Sequence, residues 1–263
     1  SYDIALTQYH TIHLNGIHQL KLVGTPFGSS IVYFDNLYFW RPSNTPALSN
    51  FSIPAKQLGD SAFVITPPTS NSNGSFTYSS SNTITGVGTS VITATQAASG
   101  SFSSGTISAN LVVTYPGPTV AAPTPPARLT ADAISIYSDA YSNISGTDFF
   151  PYWSQTTLVS DYPIGGNNHK KYENFYYQGI QLSSVADVSS MSYVHIDIWT
   201  PNCTAFDLYL INTTPSLLER KVTVTPTLFG WNSYDIPLSQ YSPVALNNIT
   251  QFKLQATPFG SSV

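Results

Sequence analysis

Residues 193–211 read YVHIDIWTPNCTAFDLYLI, and this stretch holds two short segments in which apolar and polar residues alternate. In 193–199 every second residue is Val or Ile, and in 205–211 every second residue is Phe or Leu. Successive side chains of a β-strand point to opposite faces of a sheet, so each segment is predicted to be a strand with one apolar face.

The same alternation recurs along most of the chain, between residues that favour turns. The further runs that predict strands are 31–40, 90–97, 108–115, 220–226 and 251–257. No segment shows the 3.6-residue period of a long amphipathic helix. The sequence therefore predicts an all-β fold.

Composition limits the classes of partner. Only 8% of the residues are charged, whereas 13% are aromatic, and 17 of these are Tyr. The formal net charge of −4 and the lack of a basic cluster argue against nucleic-acid binding. No apolar run is long enough to predict insertion into a membrane. Cys203 is the single cysteine, so no disulfide within the chain is expected.

An internal repeat organises the chain. Residues 1–31 align without a gap to residues 233–263, at a constant offset of 232, and 19 of the 31 positions are identical. The first copy continues with VYFDNLYFW at 32–40. A repeat of this length indicates tandem modules.

Two proline-rich segments, RPSNTP at 41–46 and PGPTVAAPTPP at 116–126, separate the modules. We expect residues 1–43 to be the C-terminal part of one module, and residues 44–115 to be a small domain. A linker follows over 116–129, and residues 130–263 form a second module that lacks its last strand. Strand 32–40 then either marks a segment of a longer tandem array or completes the module of another chain.

The small domain resembles bacterial immunoglobulin-like repeats. The resemblance lies in FSIPAKQLGDSAFVITPPTSNSNGSFTYSSSNT (51–83) and GVGTSVITATQAASGSFSSGTISANLVV (86–113). Only Ile84 and Thr85 lie between these stretches, where such repeats have a further pair of strands. The resemblance implies a small Ig-like β-sandwich that acts as a spacer.

The larger module resembles carbohydrate-binding-like β-sandwiches. The residues that carry the resemblance are ISIYSDAYSNI (134–144), IGGNNHKKYENFYYQGIQL (164–182) and WNSYDIPLSQY (231–241). Such modules occur in tandem-repeat secreted and surface proteins of gliding, polysaccharide-degrading bacteria. The resemblance implies jelly-roll-like sandwiches that alternate with Ig-like domains, a secreted or cell-surface location, and a polysaccharide or surface glycan as partner.

A sugar-binding surface is expected on the outward faces of the strands. His195, Asp197 and Trp199 share one face of 193–199, and Tyr209 faces outward from 205–211. If these strands and 251–257 are neighbours, one sheet surface presents aromatic rings beside hydrogen-bonding groups, a mixture that suits sugars. Exposed loops could add Trp153 and Tyr177. The alternative is that Trp199 only fills the rim of the sandwich.

Two further sites rest on resemblance. Jelly-roll modules often hold a structural calcium ion, and the candidate ligands are Asp139 in YSDAY and Asp35 in YFDN. A β-bulge at Asp35 and a turn at Asp139 are the alternatives. Asp60-Ser61-Ala62 matches an O-glycosylation motif of the same bacteria, which implies a glycan on Ser61.

Catalysis is not expected. The chain has two glutamates, and neither a nucleophile elbow nor a phosphate-binding loop is present. The predicted function is therefore that of a non-catalytic segment of a tandem-repeat adhesin, whose sandwiches bind polysaccharide or surfaces with neighbouring repeats adding avidity. The alternatives are a purely structural stalk or filament repeat, and an accessory binding region of a polysaccharide hydrolase.

Overall fold

The computed structural model describes residues 2–26, 28, 30–83 and 85–263. Twelve strands and four short 3₁₀ helices are found there, and the prediction of an all-β fold is confirmed. No helix in these ranges is long and apolar enough to cross a membrane. The strands are β1 (Lys56–Gln57), β2 (Phe76–Ser80), β3 (Gly88–Gln96), β4 (Gly105–Thr114), β5 (Leu158–Ile164), β6 (Asn167–Glu173), β7 (Tyr177–Ala186), β8 (Tyr193–Trp199), β9 (Ala205–Asn212), β10 (Leu218–Val224), β11 (Trp231–Pro237) and β12 (Ile249–Thr257), and the 3₁₀ helices are Leu6–Tyr9, Leu14–Gly16, Thr130–Asp132 and Leu238–Tyr241.

The small domain is built on one four-stranded sheet in the order β1-β4-β3-β2. β1 pairs with β4 in parallel, and the other pairs are antiparallel. β2 ends at Ser80 and β3 begins at Gly88, and the described residues between them, 81–83 and 85–87, contain no further strand. Buried Gln96 holds the preceding loop by donating to the Ser72 and Gly74 carbonyl oxygens, each at 2.9 Å.

The larger module has a sandwich-like core between its sheets. One sheet is four-stranded and antiparallel, in the order β10-β9-β12-β7. β8 pairs with β11, and β5 pairs with β6, as two separate antiparallel ribbons. Apolar side chains from both sides meet in one buried cluster that includes Phe175, Ile198, Phe206, Leu210, Ile236, Tyr241 and Leu254.

Six of the seven predicted strands are found with each end at most three residues from its expected position. They correspond to β3, β4, β8, β9, β10 and β12. The alternation also assigns the faces correctly, since Phe206, Leu208 and Leu210 are all at most 3% exposed. The pattern was sufficient because each of these strands has a hydrogen-bonded partner inside the chain.

The strand predicted at 31–40 is wrong: these residues have no strand structure and are exposed. The equivalents of β11 and β12 in residues 2–26 are also not strands, although their sequences are closely similar. A strand needs a partner for its backbone groups. In the second copy β11 pairs with β8, and β12 pairs with β7 and β9, whereas residues 2–26 pair with no strand among the described residues.

Local features, by contrast, are the same in both copies. The 3₁₀ helix Leu6–Tyr9 is the repeat equivalent of Leu238–Tyr241. Gly28 and Gly260 are also equivalent, with φ angles of 79° and 85°. These features depend on contacts within a few residues, so they form without the sheet. Leu238 and Tyr241 are buried in the core, but Leu6 and Tyr9 are exposed.

A deep groove opens between β6 and β8, which we call the β6–β8 groove. Its volume is about 1640 Å³, and its walls include all seven residues of each strand. Its floor is apolar and is formed by the four-stranded sheet through Phe206, Leu208, Leu210, Phe252 and Leu254. One side of the core between the sheets is therefore open.

Two core tyrosines should make the module sensitive to alkali. Burial raises the pKa of Tyr172 and of Tyr241 well above the usual value near 10. Above about pH 10 the unfolded chain loses these protons first, so stability should be complete below that pH and decline as the pH rises further. Urea unfolding followed over a series of pH values will measure this loss.

Tyr241→Phe provides the control for this prediction. The Tyr241 hydroxyl is buried and has no hydrogen-bond partner among the described residues, so its removal should leave stability at neutral pH unchanged or increased. The variant should lose less stability in alkali than the parent protein. An unfolding midpoint independent of pH between about 9 and 12 would contradict the role of these two groups.

Candidate functional site

The outward positions of β8 and β11 form a mixed polar and aromatic surface, which we call the β8–β11 face. The register pairs Trp199 with Trp231, Asp197 with Ser233, and His195 with Asp235. The inward positions of the same strands, such as Ile198 and Ile236, are buried. Strand alternation therefore brings six polar or aromatic side chains to one side of a two-stranded ribbon.

An imidazole between two carboxylates forms the polar end of this face. His195 Nδ1 lies 2.8 Å from Asp235 Oδ1, and Nε2 lies 3.4 Å from Asp197 Oδ2. The Ser233 hydroxyl donates to Asp197 at 2.5 Å. The side chains of His195 and Asp235 are 44% and 62% exposed, so both can still contact a ligand.

The aromatic end is held by a turn and by the linker. The Asn232 side-chain amide donates to the carbonyl oxygens of Thr227 and Gly230, and this turn places Phe229 edge-on to Trp199 at 6.4 Å. The Trp231 indole donates to the Val120 carbonyl oxygen at 2.9 Å. These contacts fix both indoles on the β8–β11 face.

The arrangement is not that of a Ser–His–Asp triad. A triad needs the serine hydroxyl on one imidazole nitrogen and a carboxylate on the other. Here both nitrogens of His195 face carboxylates, and Ser233 donates to Asp197 instead. The geometry suits hydrogen bonding to a ligand rather than activation of a nucleophile.

The prediction that Tyr209 lies beside Trp199 is wrong. β9 and β12 are neighbours in the four-stranded sheet, whereas β8 pairs only with β11 among the described strands. Tyr209 therefore belongs to a different sheet surface, which we call the β9–β12 face: Asp207, Tyr209, Lys221, Lys253 and Gln255. Alternation predicts on which side of its own strand a side chain lies, but it does not predict the sheet to which that strand belongs.

Charges on the β9–β12 face are already paired. Lys221 Nζ lies 2.7 Å from Asp207 Oδ2, and this hydrogen bond raises the pKa of Lys221. Lys253 Nζ lies 2.8 Å from Glu219 and 3.9 Å from the centre of the Tyr209 ring. The ammonium group thus covers one face of this ring, which leaves less of it free for stacking on a sugar.

The predicted loop residues Trp153 and Tyr177 lie on the same side as Tyr209. Tyr177 is in register with Gln255, and its hydroxyl donates to the Trp153 carbonyl oxygen. The Trp153 ring lies against the backbone of Gly179, where a Cβ atom would be 2.4 Å from Cε3. Both side chains are half-buried and hold the loop to β7.

The two predicted calcium ligands do not form a metal site in the described residues. Asp139 accepts a hydrogen bond from the Asn168 backbone N–H at 2.9 Å, and Asp35 accepts one from its neighbour Asn36 at 2.7 Å. No group of three or more His, Cys, Asp or Glu side chains that could hold a metal ion occurs there. Calcium binding stays a prediction.

Ser61 lies immediately after a turn. Asp60 closes that turn by accepting a hydrogen bond from the Gln57 backbone N–H at 2.9 Å. Ser61 itself is exposed and outside any strand. Its O-glycosylation stays a prediction, and its position leaves the hydroxyl accessible.

Sequence reasoning missed half of the β8–β11 face. The sequence pattern does not link Trp231, Ser233 or Asp235 to His195 or Trp199. Their alternation in WNSYDIP was visible, but only the pairing of β8 with β11 joins residues 32 to 40 positions apart. No protein-family model matches this sequence, and none of the curated proteins compared with it matches.

Proposed function

We propose that the protein is a non-catalytic, secreted or cell-surface binding protein whose larger module binds a neutral polysaccharide on the β8–β11 face. Its small domain acts as a spacer between binding modules. Binding by one such face is weak, and several modules on one surface supply avidity.

The observation that carries the proposal is the pairing of two tryptophans beside an exposed polar cluster. Indole rings stack on the apolar faces of sugar rings, and carboxylates and imidazole hydrogen-bond to hydroxyl groups. Trp199 and Trp231 supply the rings, and His195 and Asp235 supply the hydrogen-bonding groups on the same face. The low overall charge also suits an uncharged ligand.

The β9–β12 face is the weaker candidate for the same function. Its lysines and carboxylates neutralise one another, and Lys253 covers the Tyr209 ring. It therefore provides the matched control for the experiment, because it lies on the other sheet of the same module.

The test is binding of the full chain to an array of neutral and acidic polysaccharides, with Trp199→Ala and Tyr209→Ala compared in parallel. We expect Trp199→Ala to weaken binding at least about tenfold, because it removes a stacking ring on the β8–β11 face. Tyr209→Ala should change binding less than about twofold.

Circular dichroism will show that both variants are folded. Loss of binding in Tyr209→Ala alone would place the site on the β9–β12 face and refute the assignment. Failure of the folded parent protein to bind any polysaccharide would favour the purely structural stalk.

A further inference from the structure

Part of the proline-rich linker lies against the larger module, and we call this part, residues 117–122, the linker strap. The Gly117 backbone packs on the Tyr162 ring of β5, where a Cβ atom would lie 2.6 Å from the hydroxyl oxygen. The Val120 carbonyl oxygen accepts a hydrogen bond from the Trp231 indole of β11 at 2.9 Å. The strap therefore contacts two strands of the module.

The imidazole of His169 on β6 holds the strap at a third point, and its two contacts fix its protonation state. The Ala122 backbone N–H donates to Nε2 at 3.1 Å. Nδ1 lies 3.1 Å from the Tyr162 carbonyl oxygen, which can only accept a hydrogen bond. Nδ1 must therefore carry the proton and Nε2 must be unprotonated, so this contact requires neutral His169.

Two of the three contacts are joined through packed rings. The His169 and Trp231 rings lie 5.2 Å apart, centre to centre, at an angle of 36°. They hold Val120 and Ala122, which are two residues apart on the strap. A change in the charge of the imidazole therefore acts on both hydrogen bonds.

His169 is the group beside the strap that changes charge near neutral pH. Residues 116–126 contain no titratable side chain, and Trp231 carries no charge. The charged groups beside His169 on β5 and β6 form two ion pairs, Lys170–Asp161 at 2.6 Å and Lys171–Glu173 at 2.8 Å, and Asp139 accepts a hydrogen bond from the Asn168 N–H. Carboxylates, lysines and tyrosines ordinarily keep their charge between about pH 5 and 8, whereas histidine does not.

We propose that the linker strap is a pH-sensitive switch, bound to the module while His169 is neutral and released when the imidazole is protonated. Both nitrogens of a protonated imidazole carry hydrogen. Nε2–H would then face the Ala122 N–H with no acceptor between them, and release lets water accept from both groups. The strap is bound near pH 8 and is released as the pH falls towards 5.

Release changes how the two domains are connected. The strap lies between the domain of residues 44–115 and the larger module, so a bound strap shortens the free part of the linker, and a released one restores a semi-rigid proline-rich spacer. The switch also reaches the β8–β11 face, because Trp231 belongs to that face. It does not depend on sugar binding, and each measurement below is made without a ligand.

The mobility of a nitroxide label on Thr119→Cys, measured by electron paramagnetic resonance, tests the switch. Thr119 is exposed between two contacts of the strap, and Cys203 is fully buried and does not react. We expect an immobilised spectrum at pH 8 and a mobile fraction at least about tenfold larger at pH 5, because a hydrogen bond is lost. A label on Ser184→Cys, exposed on β7, should give the same spectrum at both pH values and show that the module stays folded.

His169→Gln removes the titrating group and keeps an oxygen that can accept from the Ala122 N–H. In this variant the Thr119 label should give the same spectrum at pH 8 and pH 5. His195→Gln is the matched control, because that imidazole contacts Asp197 and Asp235 on the β8–β11 face, and it should keep the response of the parent protein. A full response in His169→Gln, or its loss in His195→Gln, would overturn the assignment to His169.

Nitrogen NMR of the His169 ring in the parent protein is the second measurement. At pH 8 we expect the proton on Nδ1, with Nε2 unprotonated, since only this form satisfies both the Tyr162 carbonyl and the Ala122 N–H. A proton on Nε2 at pH 8 would overturn the proposal. So would a Thr119 label whose spectrum is the same at pH 8 and pH 5 in the parent protein.

Discussion

Phe175→Ala should destabilise the larger module by about 3–5 kcal/mol, the usual cost of truncating a buried Phe. Phe175 is fully buried, and its ring lies 5.3 Å from the Tyr172 ring and 6.2 Å from the Phe206 ring. The residues around the resulting cavity cannot easily move in to fill it, because the backbone of residue 175 is held by hydrogen bonds to Gly260 and Ser261. Urea unfolding, with the midpoint and slope both fitted, measures the effect.

Phe150→Ala is the matched control. Phe150 is 47% exposed, and its contact to Asp148 is made by the backbone N–H, which the substitution leaves intact. We expect this substitution to lower the free energy of unfolding by less than about 1 kcal/mol. If the two variants lose equal stability, Phe175 does not belong to the cooperative core.

The parts of the fold that could be predicted are those encoded by short-range pattern. Alternation located β8 and β9, and it assigned Asp197 and Tyr209 to outward faces. It could not predict that 31–40 would lack strand structure, because the pattern carries no information about a partner. The two repeat copies separate these effects, since Leu6–Tyr9 forms the same short helix without a surrounding core that Leu238–Tyr241 forms within one.

The candidate site shows the same difference between what the local sequence pattern predicts and what strand pairing decides. His195 and Trp199 were found from their own strand, but Ser233 and Asp235 join them only through the register of β11 on β8. Tyr209 was placed wrongly for the same reason: two strands close in sequence, β8 and β9, pair with different neighbours. Long-range pairing decides which outward residues form one surface.

Gly74→Ala should be the most damaging small substitution in the domain of residues 44–115. A Cβ atom at this position would lie 1.9 Å from the Ala97 carbonyl oxygen and 2.9 Å from its carbon, both backbone atoms that cannot rotate away. The neighbouring strand end is fixed by the hydrogen bond from Ala97 N–H to the Ser75 carbonyl oxygen at 2.9 Å. The loop must therefore move as a whole.

That movement breaks the network around Gln96, which is 1% exposed. Its amide donates to the Gly74 carbonyl oxygen, and it accepts a hydrogen bond from Ser70 at 2.6 Å. Steric strain and the loss of hydrogen bonds to a buried amide should together lower the free energy of unfolding by about 3 kcal/mol. Gly86→Ala is the matched control, because a Cβ atom there meets nothing within 4 Å. Thermal unfolding of both variants measures the difference in stability. Equal unfolding midpoints would contradict the prediction, because they would show that the loop of residues 70–75 shifts to accommodate the methyl group and keeps its contacts to Gln96.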